Sequence, residues 1–242
     1  MGRSGRLICY NTFLGQKLKE EVADTPGLEV GTFHSLLLEL VGLKRAPEGA
    51  DARFWEQTLP DAALEVLLEL DKEQRSDFLI IDEIQDLTSG PNLDILDLLV
   101  KGGLAAGRVL LFGDFEGQAL FESGANRSIL IERATGLTTY GLRVNCRNLP
   151  RIAHATETFN VFPGYKSFRR QDDGITPTVL SYERGADQSA QLASAIRALK
   201  EEGFELHEIA ILSPRRDDSV AASTQDVWLR QVLTEYSGGR RS

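Results

Sequence analysis

One stretch constrains this chain more than any other: Ser76-Asp77-Phe78-Leu79-Ile80-Ile81-Asp82-Glu83-Ile84-Gln85-Asp86-Leu87. A short apolar run, Phe78 to Ile81, leads straight into a dense acidic cluster. The run is β-branched at Ile80 and Ile81, which predicts a strand buried on both faces, as in a parallel sheet beneath helices. The carboxylates then emerge at the carboxyl end of the strand, where open α/β sheets place their ligands. The plainer alternative is a strand end followed by a solvated acidic turn.

A second stretch repeats the design. Val109-Leu110-Leu111-Phe112 is an apolar run that delivers Gly113 and Asp114 at its end. Between the two runs, Pro91 sits well for the first turn of a helix carrying Leu93, Ile95, Leu96, Leu98 and Leu99. Strand, helix and strand in this order predict a βαβ unit of a doubly wound sheet. The remaining elements extend it. Arg6 to Tyr10 and Leu28 to Val30 read as strands, with a helix from Phe13 to Ala23 between them. A second helix is expected from about Leu36 to Leu43, with Thr32 as its N-cap. Residues 52 to 70 are helical in pattern but interrupted at Pro60, with Asp61 opening a fresh helix. Residues 139 to 142 read as a short strand, and Pro150 to Phe159 as a helix.

Residues 163 to 177 are rich in Gly, Pro, Arg and Asp, which reads as a boundary. Beyond it, residues 178 to 182 and 209 to 213 read as strands. Residues 187 to 202 form an amphipathic helix, and a further helix is expected from Gln225 to Tyr236. The division is therefore 1–172 and 173–242, the second part too small in sheet to be complete.

Composition narrows the function classes. The chain has 242 residues and a net charge of -9, which argues against coating nucleic acid through bulk charge but permits a local basic groove. Two cysteines, Cys9 and Cys146, without paired spacing fit a reducing cytosol and give no metal site. No apolar run approaches a membrane span, so no membrane partner is expected and the expected location is cytoplasmic.

Several segments in order resemble the motifs of superfamily 1 DNA helicases of the UvrD/Rep type. Gly31-Thr32-Phe33-His34-Ser35 resembles the TFHS motif, and Asp82-Glu83-Ile84-Gln85-Asp86 the DExQD form of the Walker B box. Gly113-Asp114 with Gln118 and Phe121 resembles the motif coupling the γ-phosphate to a DNA base, and Asn145-Cys146-Arg147-Asn148 the N-Y-R-S motif. Residues 209 to 215 resemble the strand opening the second RecA-like domain. The resemblance implies an α/β fold of two RecA-like P-loop NTPase domains, the first incomplete at its N-terminus and the second truncated.

It further implies ATP and Mg²⁺ as cofactors and single-stranded DNA as partner, with translocation from 3′ to 5′. Asp82 is then the Mg²⁺ ligand, Glu83 the base that deprotonates water, and Arg147 the cation at the γ-phosphate; Gln118 senses the phosphate and Asp114 contributes to the nucleotide site. Thr32 and His34 touch the DNA strand, and Phe121 is a candidate stacking residue. Each has a plainer reading. Thr32 is a helix cap, His34 a packed helix residue, Arg147 a surface residue near a helix start, and Phe121 a core residue.

The departures from the family pattern are as informative. A P-loop needs G-x-x-x-x-G-K-[ST], and the chain has no Gly-Lys pair. Three residues separate Asp114 from Gln118 where the family usually has two, so either the loop bulges or Gly117 takes the glutamine's place. Cys146 replaces the usual tyrosine. The pattern reads as a fragment of a longer helicase, inactive alone. The competing reading is a degenerate RecA-like module without ATPase activity, serving as a DNA- or protein-binding scaffold.

Overall fold

The computed structural model describes residues 3–115, 127–159, 164–213 and 219–233. The chain divides into two compact units, Met1–Asn145 with Thr156–Ser167, and Cys146–Ala155 with Phe168–Ser242.

The first unit is an α/β structure around a four-stranded parallel sheet. Its strands are β1 (Gly5–Cys9), β2 (Leu28–Thr32), β3 (Phe78–Ile81) and β4 (Val109–Leu111), in the order β2-β1-β3-β4. Leu7 lies opposite Val30 on one side and Ile80 on the other, and Ile80 lies opposite Leu110. Helices α1 (Thr12–Glu21), α2 (Phe33–Leu40), α3 (Leu59–Glu69), α4 (Gly90–Leu99) and the short α5 (Gly103–Ala106) connect them.

The crossover from β1 to β2 runs one way along the sheet, and those from β2 to β3 and β3 to β4 run the other. Right-handed connections then put their helices on opposite faces. The contacts agree. Helix α1 passes so close to the β1–β2 face that a Cβ on Gly15 would lie 3.0 Å from Thr32 Cγ2 and 3.2 Å from Cys9 Sγ. On the opposite face Ile8, Leu79 and Ile81 join Leu37, Leu59, Leu67, Leu93 and Leu96 in the main core. The reversal of direction between β1 and β3 makes a topological switch point at their carboxyl ends.

Local chemistry sets the helix starts. Asn11 Oδ1 accepts from the amides of Phe13 and Leu14 at 2.9 and 3.2 Å. Thr32 and Ser35 form a reciprocal capping box for α2, with the Ser35 amide donating to Thr32 Oγ1 at 3.1 Å and the Thr32 amide to Ser35 Oγ at 3.0 Å.

Four expectations are corrected. First, β3 is fully buried only at Leu79 and Ile81, while Phe78 and Ile80 are half-buried; among the described residues α1, on that second face, packs against β1 and β2. Second, Pro60 does not interrupt its helix. A π-turn over Phe54–Thr58, closed by the Leu59 amide donating to the Phe54 carbonyl, runs directly into α3. The widened turn accommodates the missing N–H and the ring of Pro60, which a regular helix cannot do without breaking.

Third, residues 139–142 form no strand. Tyr140 and Leu142 are 86% and 78% exposed, and among the described residues no neighbouring strand takes up their backbone groups. Fourth, residues 178–182 and 209–213 of the second unit are not strands either. That unit consists, among its described residues, largely of α8 (Gly185–Glu201), α9 (Val220–Ser223) and α10 (Val227–Val232), numbered after α6 (Arg127–Arg133) and α7 (Pro150–Phe159). Its small core joins Ala193 and Ile196 to Leu229, with Ile209 and Ile211 packed against it. The alternating apolar pattern thus places two side chains inward, but an apolar pattern without a partner strand makes no ladder.

Candidate functional site

The carboxyl ends of the strands gather the residues that carry chemistry in the first unit. Asp82 follows β3 directly, and its amide extends the ladder by donating to the Ile8 carbonyl at 2.8 Å. Glu83 comes next, in the left-handed region at φ 57, ψ 45. It is the single non-glycine residue with positive φ among the described residues. Its amide donates to Asp82 Oδ1 at 3.1 Å, and its carbonyl accepts from the Asp86 amide at 3.1 Å. A backbone held in this region costs free energy, and such residues concentrate at functional sites.

Gln85 ties the turn together. Its Nε2 donates to Glu83 Oε2 at 2.6 Å, and its Oε1 accepts from the Asp114 amide at 3.1 Å. The ends of β3 and β4 are joined a second time by the Ile84 amide, which donates to the Phe112 carbonyl at 2.9 Å. The chain must approach closely here. A Cβ on Gly113 would lie 2.6 Å from Ile84 Cγ2 and 2.9 Å from Gln85 Oε1.

The electrostatics are those of crowded acids. Burial raises the Asp82 carboxyl above the usual aspartate range, and the charge of Glu83 adds to the rise, against the opposing hydrogen bond from the Glu83 amide. Burial and the Glu83 charge likewise raise Asp86. The Cys9 thiol is raised by burial and then by the charge of Asp82, so Cys9 is a packed thiol rather than a nucleophile.

At the ends of β1 and β2 a chain of rings forms around His34. Tyr10 meets it edge-to-face at a centroid distance of 5.3 Å, and Trp55 at 5.1 Å. His34 is half-buried, and burial lowers its pKa, so the neutral imidazole is favoured. Tyr10 is 43% exposed at the rim of this group.

The site residues expected from the sequence are thus distributed as follows. Asp82, Glu83 and Asp114 lie together at the ends of β3 and β4, linked through Gln85. Thr32 and His34 lie at the start of α2, where Thr32 is the helix cap. Arg147 is exposed in the second unit, its carbonyl accepting from Arg170 Nη1 at 3.1 Å. Gln118 and Phe121 lie outside the described residues. Gln85, Tyr10 and Trp55 had no assigned role. The place of Gln85 inside the Asp82–Asp86 motif was the sequence signal for the first, and the place of Tyr10 at the end of β1 the signal for the second; Trp55, in the π-turn before α3, had none. An open groove of about 390 Å³ between Ser35, Leu38, Glu39 and Lys44 contains none of the expected residues.

Among the described residues no cluster of three or more His, Cys, Asp or Glu side chains is arranged to hold a metal ion. Mg²⁺ asks for less, taking one or two carboxylates and completing its shell with water and phosphate oxygens. Asp82 and Asp114, hard donors at adjacent strand ends, fit one side of such a site; the lysine of a phosphate cradle is not in the sequence. No helix among the described residues is long and apolar enough to cross a membrane. No protein-family model matches the chain, and no curated protein matches it. The class defined by fold and site is an α/β protein with a parallel sheet and an acidic, strained turn at its switch-point edge.

Proposed function

We propose that this chain belongs to an ATP-driven translocase on single-stranded DNA, its four-stranded parallel sheet being the core of a RecA-like domain. One juxtaposition supports the reading: Glu83, held in a strained backbone conformation between Asp82 and Gln85, sits at the carboxyl edge of a parallel sheet beside Asp114. In this reading Asp82 holds Mg²⁺ with Asp114 nearby, and bound Mg²⁺ neutralises charge on the β- and γ-phosphates. Glu83 orients and deprotonates water, its carboxylate held in one rotamer by Gln85. Tyr10 and His34 are the DNA-binding pair in this reading, an exposed phenol ring and a neutral imidazole of the kind on whose faces bases stack. A scaffold that has lost nucleotide chemistry is the second reading, favoured for the chain alone by the missing Gly-Lys pair.

Two measurements separate the readings. Fluorescence anisotropy with a labelled oligonucleotide of about 20 nucleotides, longer than the roughly 4–16 that one binding fold covers, tests DNA binding. Salt-sensitive binding weakened by His34→Ala is expected, and no binding at low salt refutes the DNA path. Phosphate release by the chain itself is expected to be at background. With a lysine-bearing P-loop segment added in frame before residue 1, release that depends on Glu83 is expected. Release that persists unchanged in Glu83→Gln refutes the assignment of the base.

A further inference from the structure

Gln85 carries more structure than the proposed chemistry requires. Its side chain is almost wholly buried, with 2% exposed, although an amide brings two donors and an acceptor. Burying such a group is unfavourable unless its ends are bonded. Here both ends are, and to different elements. Nε2 donates to the Glu83 carboxylate after β3, and Oε1 accepts the Asp114 amide after β4. The left-handed backbone at Glu83 brings its carboxylate within reach of a side chain only two positions on. The absent Cβ of Gly113 leaves the space that Oε1 uses.

We propose that Gln85 is a positioning residue, a clamp that couples the Glu83 carboxylate to the Gly113–Asp114 turn so that displacement at either end is transmitted to the other. Its value to catalysis rests on the ATPase reading; the clamp itself does not. A group approaching the Asp114 turn would draw the amide away and change the orientation of Glu83. Loss of the Glu83 carboxylate would in turn remove one of the bonds that hold the Gln85 amide and so loosen its hold on Asp114.

Backbone hydrogen exchange by NMR tests this on the chain as it stands. The rate at the Asp114 amide is read as a ratio to that at the Leu79 amide, which donates to the Arg108 carbonyl within the sheet. Global opening raises both rates and leaves the ratio unchanged. Gln85→Leu should raise the ratio roughly tenfold, the equivalent of one hydrogen bond. Glu83→Ala should raise it to a similar extent, and Glu83→Gln, whose carboxamide still offers an acceptor, should restore it. Both Glu83 variants keep a Cβ in the left-handed region, so backbone strain is common to them. A ratio unmoved by Glu83→Ala, or moved equally by Glu83→Gln, overturns the clamp. No nucleotide enters the measurement, so its failure leaves the ATPase reading standing, and failure of that reading leaves the clamp standing.

Discussion

Replacing Glu83 by glycine and, separately, by alanine should reverse the usual stability order of those two residues. At φ 57, ψ 45 an L-residue bears a cost of about 1–2 kcal/mol that glycine does not. Both variants lose the same bond to Gln85, so that loss cancels between them. Glycine gives back about 0.4–1 kcal/mol through the greater freedom of its unfolded chain. Glu83→Gly should therefore be more stable than Glu83→Ala by about 0.5–1 kcal/mol. In an ordinary helix or strand interior alanine wins by a similar margin. Urea unfolding followed by circular dichroism at neutral pH measures the difference, given equal slopes for the two variants. A Glu83→Ala protein as stable as Glu83→Gly would refute the strained turn, and with it the argument that the turn is held for function rather than for stability.

Gly113→Ala should destabilise by about 1–3 kcal/mol, since its methyl overlaps Ile84 and Gln85, seen as a lower urea midpoint at unchanged slope. Asp82→Asn should stabilise at neutral pH. The folded carboxyl is raised above its unfolded value, so the acid favours folding when protonated and loses that contribution as pH rises through its folded pKa. The gain from asparagine should hence vanish below about pH 4, the unfolded aspartate value, and a pH-independent gain contradicts the assigned cause. Tyr10→Ala should weaken single-stranded DNA binding by about 1–3 kcal/mol if one base stacks there, while the thermal unfolding of the protein changes little; equal affinity removes Tyr10 from the path.

Much of the first unit was legible because parallel strands announce themselves as short, nearly continuous apolar runs. Phe78 to Ile81 and Val109 to Leu111 became β3 and β4, and Asp82 and Asp114 followed at their ends. Thr32 was legible as a cap because its hydroxyl is three residues from the amide it accepts. Pro60 was misread because a local rule was overridden: the π-turn before it absorbed the proline. Residues 178–182 and 209–213 were misread because strand propensity is only half of a strand, the other half being a neighbour to share its hydrogen bonds.

What the sequence by itself determined is therefore the set of buried runs, the helices with a clear apolar face, and the acids released at strand ends, all properties of neighbours in the chain. The order β2-β1-β3-β4, the ring contacts of Tyr10 and Trp55 with His34, and the bond from Asp114 to Gln85 across 29 positions belong to the tertiary structure alone. The strain at Glu83 does too. No local preference puts glutamate in the left-handed region; it stays there because the sheet on one side, and Gln85 on the other, hold both ends of the turn.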